Sequence, residues 1–195
     1  MSYTLETYEW DNTWIEQSNN NVSKRILYIG DSISCGTRTF ANKLSKGEML
    51  FDGYGTSKAL DNPYYFDSLS IFAKQENNRD AIIFNNGLHG WHLNEDEYER
   101  LYEDFLDKLL NHFCDIPIIP VLTTFVTNEM YYNDRVIIRN EIVRKISTAK
   151  KLNIIDLYTV SEKNKNLLCD DGVHFGNRGY ELLAEEVLDI LKKYI

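Results

Sequence analysis

Short apolar runs alternate with amphipathic stretches along most of the chain. The runs are bounded by glycine, proline or polar residues and are too short for helices, so each is typical of a buried β-strand. They cover residues 25–30, 49–54, 80–84, 116–123 and 153–158. Pro117 and Pro120 weaken the fourth of these predictions, because proline removes a hydrogen-bond donor from a strand ladder.

Helical periodicity fills the stretches between the later strands. After Asn94, a suitable N-cap with Glu97 in the capping-box position, acidic residues occupy the first turn, where the helix dipole stabilises negative charge. Apolar residues then recur at helical spacing on one face: Tyr98, Leu101, Tyr102, Phe105 and Leu109. Further helices are predicted over residues 135–151 and from about 179 to 194.

Strands that alternate with helices imply a three-layer α/β/α sandwich around a mainly parallel sheet of about five strands. We expect a single core domain over residues 25–195, since the length of 195 residues suits one core and no linker interrupts it. Residues 1–24 are polar with interspersed aromatic side chains. They are predicted to form an N-terminal extension that packs on the outside of the domain or meets another subunit.

Composition limits the partners that the protein can have. The formal net charge is −9, so nucleic acid and an anionic membrane surface would both repel the chain, and neither is expected as a partner. Neither a basic-then-apolar leader nor a bilayer-length apolar run is visible. Cys35, Cys114 and Cys169 are widely spaced, which favours reduced thiols and a cytoplasmic location. The oligomeric state is left open.

A serine follows the first predicted strand, in the segment Gly30-Asp31-Ser32. In parallel sheets, ligands bind beyond the carboxyl ends of the strands. A hydroxyl placed there lies near backbone N–H groups that can stabilise an oxyanion, but serine needs a base before it acts as a nucleophile. A simpler alternative is that Ser32 only caps the following helix.

The loop before the C-terminal helix can supply that base. Asp171 stands three residues before His174, and an acid at this spacing can hold one imidazole nitrogen while the other faces a serine. Asp170 is a rival acid. The alternative is a surface loop whose carboxylates cap the helix.

Polar residues also follow the second and third predicted strands. Asn85, or its rival Asn86, could direct an amide N–H at an oxyanion, although Asn-Gly is also a common turn. Gly55 could contribute a backbone N–H and allow a substrate to approach closely. His89 and His92 would be only two ligands for a metal ion, too few for a site. We therefore expect neither a metal nor a cofactor.

Together these segments resemble the SGNH/GDSL hydrolase family over residues 25–195. Gly30-Asp31-Ser32 is similar to the first block of the family, Gly55 to the glycine of the second block, and Asp171-Gly172-Val173-His174 to the last block, Asp-x-x-His. The segment NNGLHGWH, which starts at Asn85, resembles the third block. It departs from the usual Gly-x-Asn-Asp form, since Ile83 occupies the glycine position and Asn86 the aspartate position.

The resemblance implies the flavodoxin-like SGNH fold and a serine esterase that hydrolyses small carboxylic esters through an acyl-enzyme. Short acyl groups, such as acetate on a sugar, are the expected substrates. The implied catalytic group is Ser32, Asp171 and His174, and the implied oxyanion hole is Ser32, Gly55 and Asn85, with Asn86 as the rival. His89 and Trp91 are expected to line the substrate-binding mouth. An O-acyltransferase that uses the same serine and a non-catalytic carbohydrate-binding protein are the alternatives.

Overall fold

The structure is a computed structural model that describes residues 3–76 and 78–195. The strands are β1 (Asp11–Trp14), β2 (Lys24–Gly30), β3 (Met49–Thr56), β4 (Ala81–Phe84) and β5 (Ile118–Pro120). The helices are α1 (Ser32–Ser45), α2 (Tyr65–Ala73), α3 (Glu95–His112), α4 (Asn133–Ala149), α5 (Leu157–Lys163) and α6 (Asn177–Leu191). A short 3₁₀ turn, Lys165–Leu167, follows α5. Within the described residues, no helix is both long and apolar enough to cross a membrane.

The five strands form one sheet in the order β1-β3-β2-β4-β5. β2 is parallel to both of its neighbours, β4 is parallel to β5, and only β1 runs antiparallel, along β3. Every residue of β2 after Lys24 is buried. The reason is that helices cover both faces of this central strand, as the continuous apolar sequence of a parallel strand requires.

Two hydrophobic cores separate the helix layers from the sheet. On one face α1 and α6 pack against side chains such as Ile26 and Ile83. On the other face α2, α3 and α4 pack against the alternate positions, such as Leu27 and Ile82. Successive residues of a strand point to opposite faces, so the same strands supply both cores. The predicted α/β/α sandwich is confirmed.

The fifth strand of the sheet is not the one predicted from the sequence. Residues 153–158 contribute only an isolated bridge between Ile155 and Val121, and Leu157 already begins α5. Asp156 causes this change, because its carboxylate accepts a hydrogen bond from the Thr159 N–H at 2.9 Å and caps the helix. The strand prediction for this segment was therefore wrong.

The N-terminal extension supplies the missing strand instead. Its residues Asp11–Trp14 pair with Thr56 to Gly53 of β3, so within its described part the extension completes the sheet rather than only packing outside it. All residues of β1 are exposed. This edge strand consequently lacks the alternation of apolar and polar positions by which a strand is recognised in a sequence.

The remaining predicted elements are present with different ends, whereas α2 was not predicted. α3 begins with the capping box of Asn94 and Glu97. α4 and α6 begin slightly earlier than predicted, at Asn133 and Asn177. β5 is restricted to Ile118–Pro120, in line with the expected effect of its prolines.

Candidate active site

Ser32 lies between the end of β2 and the first turn of α1, at the carboxyl edge of the sheet. Asp31, not Ser32, is the N-cap of α1, since its carboxylate accepts hydrogen bonds from the N–H groups of Ile33 and Ser34. Ser32 is the first helical residue, and among the described residues its N–H has no acceptor. This is the usual state of the first N–H groups of a helix. The hydroxyl and the N–H of Ser32 are thus both available to a ligand.

Ser32, His174 and Asp171 form a continuous chain of hydrogen bonds. The Nε2 atom of His174 lies 2.8 Å from the Oγ atom of Ser32. Its Nδ1 atom lies 2.7 Å from the Oδ2 atom of Asp171. Asp171, rather than the rival Asp170, is therefore the acid that contacts the ring. With Nδ1 donating to the carboxylate, Nε2 is left as the acceptor that a serine hydroxyl needs.

The loop that carries Asp171 and His174 is held in place by its own backbone and by a neighbouring loop. The second carboxylate oxygen of Asp171 accepts from the N–H groups of Val173 and His174, at 2.9 Å each. Gly172 has a φ of +69°, which favours glycine. A Cβ atom there would lie only 2.7 Å from the backbone nitrogen of Asn128. Glycine thus lets the loop lie directly on residues 127 and 128.

The surroundings of Asp171 keep it ionised. Partial burial by itself would raise its pKa, but the hydrogen bonds from the N–H groups of Val173 and His174 and from the His174 ring lower the pKa to about 2. The side chains of His174 and Asp171 remain 42% and 50% exposed. The pair therefore combines a fixed geometry with access to solvent.

A cleft of about 410 Å³ opens over Ser32 and His174. Its walls come from elements far apart in the sequence: Trp10, Asp31, Ser32, Leu88, His89, Asn128, Tyr131, Asp171, Val173 and His174. Sequence reasoning assigned no role to Trp10, Leu88, Asn128, Tyr131 or Val173. Leu88 and Val173 lie within the segments already singled out, whereas Trp10, Asn128 and Tyr131 belong to no motif and reach the cleft only in the folded chain.

The side chain of Asn85 points away from the cleft. Its amide nitrogen donates to the carbonyl oxygen of Val121 at 2.6 Å and lies 3.3 Å from Oγ1 of Thr123. Both N–H bonds of the amide are thereby used, and the residue is buried. In this placement the Asn85 side chain links β4 to the segment after β5. Its amide has no N–H left to donate to an oxyanion, the role predicted from the sequence.

Asn86, the rival, is placed differently. Its amide donates to the carbonyl oxygen of Lys58 at 3.3 Å, which leaves one N–H of the amide unassigned. The Lys58 carbonyl belongs to the loop that follows β3, at the same edge of the sheet as Ser32. Of the two asparagines, Asn86 is the one with a donor to spare.

Gly55 lies inside the sheet rather than in a loop. It pairs with Gly30 of β2 on one side and with Asn12 of β1 on the other. A Cβ atom at this position would collide with the Sγ atom of Cys35 on α1. The glycine thus permits close packing of α1 on β3, and it is not among the residues that line the cleft.

His89 and Trp91 have different positions. His89 lines the cleft, and its Nδ1 atom lies 3.5 Å from a carboxylate oxygen of Glu6. Trp91 lies behind the wall, with the guanidinium carbons of Arg135 and Arg139 at 4.8 and 4.7 Å from its ring centroid. Its ring packs edge-on against Tyr131, a cleft residue. Trp91 therefore supports the wall that it was predicted to form.

Known structures match this architecture, although similarity at the sequence level is low. No protein-family model matches the sequence, and a search of curated proteins gives no match. An acetyl xylan esterase, AlAXEase, superposes with a TM-score of 0.67 at 19% identity, over 86% of this chain and 99% of that one. A member of the lipolytic protein G-D-S-L family from Veillonella parvula has a TM-score of 0.69 at 19% identity, over 88% and 100% of the two chains. The chain has the SGNH/GDSL hydrolase fold.

A third structure of this fold extends the comparison. A lipase/acylhydrolase from Enterococcus faecalis superposes with a TM-score of 0.69 at 17% identity, over 87% of this chain and 96% of that one. The resemblance seen in the sequence is thus confirmed at the level of the SGNH/GDSL fold. The chemistry of the site rests on the geometry of Ser32, His174 and Asp171 in this chain.

Proposed function

We propose that this protein is a serine esterase that hydrolyses small carboxylic esters through an acyl-enzyme. The observation that carries the proposal is the hydrogen-bonded chain from Ser32 through His174 to Asp171, at 2.8 and 2.7 Å, open to a cleft. A nucleophile, a base and an orienting acid in this arrangement are the parts that acyl transfer requires.

In the proposed reaction, Nε2 of His174 accepts and returns the proton in each half of the reaction. His174 accepts the proton of the Ser32 hydroxyl at Nε2 while the serine oxygen forms a bond to the ester carbonyl carbon. The tetrahedral intermediate then expels the alcohol, whose oxygen takes that proton from Nε2. Water repeats the two steps on the acyl-enzyme and releases the carboxylic acid and free Ser32. Asp171 stays ionised throughout and stabilises the imidazolium ion.

The oxyanion of the tetrahedral intermediate requires hydrogen-bond donors. The Ser32 N–H is one candidate, because it begins α1 and has no acceptor among the described residues. The spare amide N–H of Asn86 is the second candidate. Its chain neighbour Gly87 packs against the Asp31 carboxylate, since a Cβ atom there would collide with that carboxylate. The Asn86 segment is thereby held beside the nucleophile.

Short acyl groups, including acetate on a sugar, are the proposed substrates. The open cleft of about 410 Å³ offers the walls for a small ester, and one structure of the same fold is that of an acetyl xylan esterase. Transfer of the acyl group to a second alcohol would use the same acyl-enzyme. Product analysis with and without an acceptor sugar distinguishes the two reactions, since only a transferase forms a new ester.

The direct test is hydrolysis of p-nitrophenyl acetate by the wild type and by Ser32→Ala, together with mass spectrometry after a fluorophosphonate probe. We expect the variant to lose turnover by a factor on the order of 10⁶ and the probe to label Ser32 in the wild type. Ser34→Ala is the matched control, because Ser34 lies on the same helix but donates its hydroxyl to the Asp31 carbonyl at 2.6 Å. A folded wild type that neither hydrolyses the ester nor reacts with the probe would overturn the proposal.

A further inference from the structure

The N-terminal strap, defined as residues 3–14, crosses the edge of the sheet next to the cleft. Its second half is β1, which pairs with β3. Just before β1, the Trp10 N–H donates to Oγ of Ser57 at 2.8 Å, and the Trp10 carbonyl accepts from the Ser57 N–H at 3.1 Å. Both backbone groups of Trp10 are therefore fixed to the loop after β3.

The first half of the strap is attached to the other rim of the cleft. A carboxylate oxygen of Glu6 lies 3.5 Å from Nδ1 of His89 and accepts from the Gly90 N–H at 3.4 Å. The hydrogen bond with His89 lowers the pKa of Glu6. The Thr4 N–H donates to Asp61 at 3.3 Å. With anchors on both sides of it, Trp10 cannot leave the cleft without breaking several polar contacts.

The ring of Trp10 forms one wall of the cleft that contains Ser32. It packs edge-on against His89, with ring centroids 6.2 Å apart. It also covers Gly55, where the absent Cβ atom would lie 3.5 Å from Cζ3 of Trp10. The ring thus fills space that a long substrate chain on that side of Ser32 would need. Its contacts with His89 and Gly55 support it there.

The order of the strands decides which part of a substrate meets this wall. Ser32 follows β2, with β3 and β1 on one side of that strand and β4 and β5 on the other. Trp10 precedes β1, whereas the loop of residues 171–174 is bonded to residues 127 and 128, which follow β5. The backbone anchors of Trp10 and of His174 therefore lie on opposite sides of β2, the strand that leads to Ser32. Because His174 must protonate the leaving oxygen, the alcohol leaves on the His174 side and the acyl chain extends towards Trp10.

We propose that Trp10 closes the acyl side of the cleft and restricts the enzyme to short acyl groups. This inference rests on the proposed esterase function and adds a specificity-determining residue to it. The residue comes from the N-terminal extension, so the extension completes the substrate pocket as well as the sheet.

The test is a series of p-nitrophenyl esters with acetyl, butyryl, hexanoyl and octanoyl groups, measured with the wild type and with Trp10→Ala. We expect the wild type to prefer the shortest acyl groups. In Trp10→Ala, the ratio of kcat/KM for the hexanoate to that for the acetate should rise about tenfold or more, since one methylene group admitted to an apolar pocket changes discrimination by about 10- to 200-fold. Trp10→Leu retains the backbone bonds and should show a smaller shift in the same direction.

Two controls isolate the acyl side. Tyr8→Ala removes an aromatic side chain of the same strap that is 82% exposed, and the acyl-length profile should not change. Tyr131→Ala removes a different aromatic wall of the cleft, from the segment between β5 and α4, and it should alter a series of acetate esters with different alcohols more than the acyl-length profile.

The outcomes separate this inference from the proposed function. An active wild type whose acyl-length profile is the same in Trp10→Ala would overturn the inference and leave the esterase proposal standing. A Trp10→Ala variant that changes the alcohol series instead would also overturn it. Absence of hydrolysis and of probe labelling in the wild type would overturn the esterase proposal itself.

Discussion

The two ends of β2 lie beside pairs of ionisable side chains that differ in their exposure to solvent. Arg25, near the start of the strand, pairs with Asp52, and their side chains are 3% and 0% exposed. Beyond the other end, Ser32 contacts the pair of His174 and Asp171, which are 42% and 50% exposed. One strand thus joins a fully buried ion pair to a pair that is open to water.

The buried pair holds the extension against the domain. Nη1 of Arg25 lies 2.7 Å from Oδ1 of Asp52. The guanidinium group also donates to the backbone carbonyl oxygens of Glu16, Gln17 and Asn20. Burial raises the pKa of Asp52, while the Glu16 N–H and the guanidinium group of Arg25 act against this rise.

The difference between the two ends follows from what each must do. A buried ion pair is stable only when its charges are fully partnered and never change, which suits a permanent attachment. A base that gains and loses a proton in each turnover needs a polar environment and access to solvent. A carboxylate paired with a basic side chain therefore serves structure at one end of β2 and, in the proposed mechanism, chemistry at the other.

The largest expected effect is at the exposed end. His174→Ala removes the proposed base and should lower turnover by a factor on the order of 10⁶, with little change in the free energy of unfolding because the ring is half exposed. The matched control is His92→Ala, which breaks a similar pair with Asp61 at 2.9 Å. If both variants lost the same small amount of activity, the assignment of chemistry to the His174 end would be wrong.

The next effect is at the buried end. Arg25→Met leaves the buried Asp52 carboxylate with Arg79, whose Nη2 atom lies 3.5 Å away, as its remaining cationic partner. The variant should lower the free energy of unfolding by up to about 3–5 kcal/mol, measured by urea denaturation. Fluorophosphonate labelling of Ser32 in the folded fraction should persist. Lys24→Met, at the exposed neighbouring position, should change stability by less than about 0.5 kcal/mol. Equal stability of Arg25→Met and the wild type would contradict the structural role of the pair.

A third prediction distinguishes a catalytic role from a structural role for two adjacent asparagines. Asn86→Ala removes the proposed oxyanion donor and should lower kcat by about a hundred- to a thousand-fold. Asn85→Ala leaves the Val121 carbonyl without its donor and should mainly destabilise the fold, by about 1–3 kcal/mol. Steady-state kinetics and urea midpoints of both variants check this ranking. Loss of turnover confined to Asn85→Ala would reverse the assignment.

The smallest effect concerns acid pH. The pKa of Asp171 is lowered from 3.8 to about 2 in the folded state, so its hydrogen bonds add stability above pH 3.8, and this contribution is lost as the pH falls towards 2. The contribution should stay below about 1 kcal/mol, since the pair is exposed. The difference in urea midpoint between the wild type and Asp171→Asn should therefore shrink across this range. A difference that grows on acidification would contradict the sign.

The fold and the pairing of Asp171 with His174 could be predicted because both depend on local signals. Apolar runs marked the strands that both helix layers cover, and Ser32 directly follows the clearest of these runs. Asp171 and His174 are three residues apart, so the geometry of their own loop brings them together. Strand 153–158 was mispredicted because an apolar run does not distinguish a strand from the first turn of α5, which Asp156 caps.

The contacts between distant segments could not be predicted from the sequence. β1 has no apolar alternation, and its strand conformation depends on pairing with β3. The direction of the Asn85 amide depends on its hydrogen bond to the Val121 carbonyl oxygen. Trp10 reaches the cleft because Ser57 binds both of its backbone groups. The amino-acid pattern was thus sufficient for the parallel strands β2 to β5 and for the segments that follow them. Walls of the cleft such as Trp10 depend on the folded chain, because their partners are remote in sequence.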